Sequence, residues 1–202
     1  MTDPHTPKTT PLSLRRVHGL MLLAACLGAS SFTVGKAITA GMDPAALTLV
    51  RFLIAALLFL PVLVCKRALK LPDRHALLRY SVISFALTGF FLLMFLALRS
   101  TTALNTGVIF TLVPGFSGLY SSVLLRERLG RHRLLAMIPA TLGAIWVLFH
   151  GNVERLLAFD LNPGDLVFFL GCQLMAIYTP LVKKFHQGEP MIFMTFWILV
   201  TG

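Results

Sequence analysis

The 23 residues from Ala103 to Leu125 contain no charged side chain, and a helix needs roughly 20 apolar residues to cross about 30 Å of bilayer hydrocarbon. A chain with such a run is committed to a membrane. Pro114 lies at its middle, with Gly107, Gly115 and Gly118 close by. There it removes a backbone donor and clashes with the preceding turn. Lipid offers no partner to the carbonyl so freed, so the broken side of the span is expected to face protein or a watered cavity. A basic turn, Arg126 to Arg133, then ends the span. The stretch Thr101–Arg133 is therefore the expected organiser of the fold.

Six other apolar runs surround this one. Residues 1–16, rich in Thr and Pro and without periodicity, read as a disordered cytoplasmic tail. Val17–Ala40 is a first span rather than a signal peptide, given its length and the runs that follow. Gly41–Asp43 is a minimal turn, and Pro44 opens a second span in the first-turn position that proline tolerates, which predicts a tight hairpin. Leu77–Leu98 is the third span, and Leu134–Phe149 is a shorter fifth. In the fifth, Ala136, Ala140 and Ala144 make a small-residue stripe suited to close helix packing. Residues 150–163 form a polar loop read as periplasmic, a sixth run spans Gly164–Val182, and a seventh begins at Pro190 and is still apolar at Gly202. The fold class is an all-α integral membrane bundle.

Hydrophobic residues make up 56% of the sequence and charged ones 13%, yet the formal net charge is +10. The charges lie between the apolar runs. With the tail inside, fourteen of the 18 Lys and Arg fall on the cytoplasmic side, and only Lys36, Arg51, Arg99 and Arg155 on the other. The positive-inside bias accounts for the net charge, with anionic lipid headgroups as the natural counter-surface. A nucleic-acid interface would need a folded basic surface with interleaved aromatics, and this chain has no polar domain to carry one. No nucleic-acid partner is expected. The bilayer is the expected solvent, and a homodimer is left open.

Sliding the chain against itself by 146 residues sets Asp43–Pro44 on Glu189–Pro190, Cys26 on Cys172, Phe32 on Tyr178 and Thr33 on Thr179, with no gap. Five spans separate the copies, and an odd number reverses direction through the bilayer. The expectation is an inverted repeat: residues 17–149 form a complete first copy of five helices, and 164–202 start a second. On this pattern a complete chain would have about 290 residues and ten spans, and these 202 residues are expected to be a truncated form.

Several local patterns resemble the EamA-type branch of the drug/metabolite transporter superfamily. They are Gly28-Ala29-Ser30-Ser31-Phe32 with Gly35-Lys36, Asp43-Pro44 with Arg51-Phe52, Ala97-Leu98 through Thr102, Asn105, Thr111 and Pro114, and Glu127-Arg128-Leu129. Together they cover residues 17–149 and the start of the second copy. Leu27 stands where the family often has Trp, and Arg126 where it usually has Gly. The resemblance implies ten spans, cytoplasmic ends, an inner-membrane location and export of small metabolites.

No catalytic constellation is visible. The eight acidic residues and six histidines all fall in or beside loops, so neither intramembrane hydrolysis nor a metal site is expected, nor a cofactor, nor a buried carboxylate to relay protons. Arg51 enters span two about 10 Å below its outer start, at 1.5 Å per residue. It snorkels outward, holds carbonyls at helix ends, or grips a substrate carboxylate with its guanidinium fork. Lys36, nearer the interface, is open to the same readings. Ser31, Asn105, Thr111, Gln173 and Tyr178, with Ser30, Thr33, Thr106 and Thr179, are expected to gather where spans one, four and six meet. The two amides Asn105 and Gln173 stand out, since lipid would leave them unpaired. Pro114 and Glu127 are assigned structural and gating roles. Phe90, Phe91 and Phe95 are expected to face lipid rather than wall a cavity. A transporter of small organic metabolites, amino-acid-like or drug-like, working by alternating access, is the leading expectation. The alternative is a non-transporting membrane protein or an inactive half.

Overall fold

The structure, a computed structural model, describes residues 14–39, 41–65, 71–126, 130–154 and 162–202. Among them are helices α1 (Leu14–Ile38), α2 (Pro44–Cys65), α3 (Arg74–Leu98), α4 (Ala103–Phe110), α5 (Val113–Leu124), α6 (Arg131–Leu148), α7 (Pro163–Phe185) and α8 (Met191–Thr201). With α4 and α5 taken as one span, five segments are long and apolar enough to cross a membrane, and Leu135–Leu148 and α8 are shorter apolar helices. The protein is an all-α, multi-pass membrane bundle. Residues 1–13, Glu127 and residues 155–161 of the 150–163 loop lie outside the described residues.

Helix starts follow local chemistry. Asp43 accepts the Ala45 amide at 2.8 Å ahead of Pro44, Thr102 accepts the Asn105 amide at 3.1 Å, and Asn162 accepts the Gly164 amide at 2.9 Å ahead of Pro163. Each cap satisfies one of the donors that a helix's first turn leaves unpaired. Between α4 and α5 the chain drops to i−3 bonds, with the Thr111 amide on Val108 and the Leu112 amide on Ile109, both at 3.1 Å. Pro114 follows in the first turn of α5. The span thus breaks one turn around the residue that sequence alone marks.

The centre of the bundle, however, is α3 and not this broken span. Helices α7, α8, α2, α1 and α4 all pack on α3, and Ile83, Phe90, Met94, Phe95 and Leu98 of α3 are buried. Phe90 and Phe95 therefore face the core rather than lipid, while Phe91 is half-buried. A span that is apolar all round shows no face in its sequence, which is why α3's central place could not be read there.

Named contacts give the helix directions. The C-terminal end of α1 meets that of α3, where Lys36 Nζ donates to the Leu98 carbonyl at 2.6 Å. There too Arg99 Nη2 donates to the Met42 carbonyl at 3.2 Å, just before α2 starts. Helix α7 begins at the same end, where Gly164 abuts Ser100, and finishes at the other, where Arg79 Nη1 donates to the Phe185 carbonyl at 3.5 Å. Helix α8 starts beside Tyr80, whose hydroxyl donates to Glu189 Oε1 at 3.1 Å, and climbs past Ser84, whose hydroxyl donates to the Ile198 carbonyl at 2.6 Å. Helices α1 and α8 therefore run with α3, and α2 and α7 run against it. Asp43 and Glu189 lie at opposite ends of α3.

Two packing expectations need correction. Helices α1 and α2 touch little beyond their turn, and a cleft of about 570 Å³ separates them, so the hairpin is not tight. Of the alanine stripe only Ala144 is buried. Ala136 and Ala140 instead line a groove with Thr111 and Pro114. The tight small-residue contact is elsewhere, between α3 and α7, where Gly171 lies against Leu93 and Phe90, and Gly89 against Leu174. Close backbone approach of this kind drives helix association in lipid.

Candidate functional site

The polar residues expected to gather in one site divide into separate groups around α3. At the end of α3 that meets the start of α7, Asp165 is 3% exposed and Asn105 5% exposed. Asp165 Oδ1 accepts the hydroxyl of buried Thr101, and Oδ2 accepts Asn105 Nδ2 at 3.1 Å. Asp165 lies in the first turn of α7, where the helix dipole favours a negative charge. Asn105 Oδ1 is buried with no partner among the described residues. The expectation that the chain holds no buried carboxylate is thereby overturned. Asp165 does lie beside a loop, as its position indicates, but the corner between α3 and α4 folds over it. Only its place in the first turn hinted at this. Its partners are 60 or more residues away in sequence.

Arg51 projects into the cleft between α1 and α2. Its Cζ lies 4.1 Å from the centroid of Phe91, and Phe91 is in turn 5.9 Å edge-on from Phe52. Among the described residues neither a carbonyl nor an ion pair meets the guanidinium, so Arg51 does not hold carbonyls at a helix end. Ser31 shares this cleft, and its hydroxyl donates to the Leu27 carbonyl at 3.1 Å. Lys36 is instead committed to the Leu98 carbonyl, a cation on a helix C-terminus.

Thr111 is exposed at the break, and its hydroxyl donates to Val108 at 2.6 Å. With Pro114, Gly115, Met137 and Ala140 it lines a groove of about 210 Å³ against α6. The break borders α6 on this side and α1 on another, where Thr111 also lines a cleft with Phe32 and Thr33. Gln173 Oε1 accepts the Tyr120 hydroxyl at 2.8 Å, joining α5 to α7, while its Nε2 is buried without a partner among the described residues. Tyr178 packs with Ile83 and Ile198 in a second core cluster, away from Asn105. Glu127 lies outside the described residues.

The chain is 24% identical over 174 residues to a Bacillus subtilis (strain 168) protein named Uncharacterized transporter YyaM, covering 85% of this chain and 57% of that protein. It is 27% identical over 170 residues to an Archaeoglobus fulgidus protein named Uncharacterized transporter, covering 84% of this chain and 58% of that one. It therefore spans under two thirds of the length of either relative. No solved structure matches it significantly. The sequence pattern of the EamA-like transporter family matches residues 16–149, and the chain, with its bundle of apolar spans and its broken fourth segment, belongs to that family.

Proposed function

We propose that this membrane transporter exports small organic metabolites across the cell's inner membrane by alternating access, with its N-terminus in the cytoplasm, moving its substrate chemically unchanged. One observation carries the reading. Helices α1 and α2 run opposite to α7 and α8 on a shared central helix, so the acid-proline corners at Asp43 and Glu189 open from opposite ends of α3. Such opposed pairs are how inverted-repeat transporters build two exchangeable openings around one site. The broken α4–α5 span supports the same reading, because irregular backbone at membrane depth is tolerated where it borders a cavity or other helices. The fourteen-to-four bias of basic residues supports the orientation.

The test is counterflow in proteoliposomes holding the purified protein, with a panel of labelled amino acids and monocarboxylates. At least one compound should exchange at a rate well above that of empty vesicles. If none does while circular dichroism shows the helices intact, the transporter reading fails for this chain.

A further inference from the structure

We infer that the cleft between α1 and α2 binds a small organic monocarboxylate with an apolar body, through the guanidinium of Arg51. This deepens the transporter reading and rests on it for the word substrate, though binding can be measured without transport. Arg51 is eight residues into an otherwise uncharged helix, Pro44–Cys65, and a cation at that depth needs an anion, water or carbonyls. Among the described residues none of its donors has an acceptor, and the guanidinium lies over the face of Phe91, with Cζ 4.1 Å from the ring centroid. That contact holds the planar fork while leaving its edge free, and a fork edge matches a carboxylate with two parallel hydrogen bonds.

The rest of the cleft selects the body of the ligand. Its volume, about 570 Å³, falls in the range of small-molecule sites, and Val34, Leu47, Ile54 and Phe95 line it. Ser30 and Ser31 are the other polar residues lining it, and both hydroxyls donate to the Leu27 carbonyl, at 2.9 and 3.1 Å. Their protons are spent, so Arg51 alone is left to donate to an anion. Among the described residues no acidic side chain lines the cleft to receive an ammonium group. An apolar acid fits these walls better than its amide, and an amine not at all.

The experiment is equilibrium binding of labelled 4-methylpentanoate to the purified full chain in detergent, with 4-methylpentanamide and 4-methylpentylamine as competitors. The acid should bind saturably, and both competitors should be at least about tenfold weaker, the loss of a charge-assisted pair. R51Q should lose about tenfold or more, R51K less, and F91L should fall between wild type and R51Q. Equal binding of acid and amide to wild type overturns the inference, as does R51Q that binds like wild type. If R51Q does not fold, the wild-type acid-to-amide ratio decides alone. Selective binding of the acid with no counterflow of any compound in the panel leaves the site standing and removes the transporter reading. Counterflow of other compounds with no acid binding does the reverse.

Discussion

Thr101 and Asp165, 64 residues apart in sequence, meet as hydroxyl and carboxylate where the corner between α3 and α4 closes over the first turn of α7. Both side chains are buried, and Asn105 supplies the second donor. This joint fastens the start of α7 to the central helix. Asn162 adds to it from just outside, where its Nδ2 donates to the Ser100 carbonyl at 2.7 Å.

Replacing Asp165 by Leu should therefore cost about 3 kcal/mol or more, because the Thr101 hydroxyl and the Asn105 amide are left buried and unpaired. Asp165→Asn keeps the shape and one acceptor, and should cost about half as much. Unfolding in detergent, followed by the fluorescence of Trp146 and Trp197, measures both. Equal stability of D165L and wild type would mean that water reaches the joint.

Sequence reading reached the spans, the turn at Asp43 and the break at Pro114, because charge, proline and acid-proline pairs act locally. It singled out Arg51 because a charge in an apolar run has no lipid partner. It missed the joint at Asp165, which depends on contacts between residues 60 or more apart, and it grouped Ser31, Asn105 and Tyr178, although Ser31 lines the cleft between α1 and α2 while Asn105 meets the start of α7 and Tyr178 lies well along it, beside Ile83. An apolar pattern reports neither which face a membrane helix turns inward nor which neighbour it meets at a given depth, and both were the information lacking.

Glycine positions on α7 and α4 separate packing from propensity. A Cβ on Gly164 would meet Ser100 Oγ at 2.5 Å, the Ala97 carbonyl at 3.0 Å and Thr101 Cβ at 3.0 Å. Two of these neighbours cannot swing aside, so Gly164→Ala should destabilise by about 1–3 kcal/mol. Gly107 in α4 meets nothing within 4 Å, so Gly107→Ala should be neutral or stabilise by up to about 1 kcal/mol. Thermal unfolding of the two variants side by side tests the contrast.

Glu189, in the turn between α7 and α8, titrates outside the spans. Partial burial pushes its carboxyl up, but its own amide, the Gln187 amide, the Tyr80 hydroxyl and the charge of His186 together outweigh burial and hold it below the ordinary value of 4.5. A carboxyl lowered on folding contributes stability above its unfolded pKa and loses it as pH falls through the folded value. The turn should stay docked at neutral pH and loosen only in acid below 4.5. Tyr80→Phe removes one donor and should move the loosening to higher pH. Limited proteolysis at residues 186–189 across an acid series reads the shift. Unchanged cleavage profiles in the two proteins would show that Tyr80 does not hold the turn.

The opposed corners allow a direct test of topology. The Met42 carbonyl is tied to Arg99, just past the C-terminal end of α3, and Glu189 to Tyr80 near its start. The nineteen steps from Tyr80 to Arg99 rise about 30 Å at 1.5 Å each, the thickness of the hydrocarbon core. With Cys26, Cys65 and Cys172 replaced by Ala, single cysteines at positions 43 and 189 should react with an impermeant maleimide from opposite compartments. The orientation proposed above assigns position 43 to the outside. Labelling of 189 in intact cells and of 43 only after lysis would keep the opposed corners but invert the chain. Labelling of both from one side would break the antiparallel arrangement on which the transporter reading stands, since α2 and α8 could not then cross the same bilayer in opposite directions beside α3.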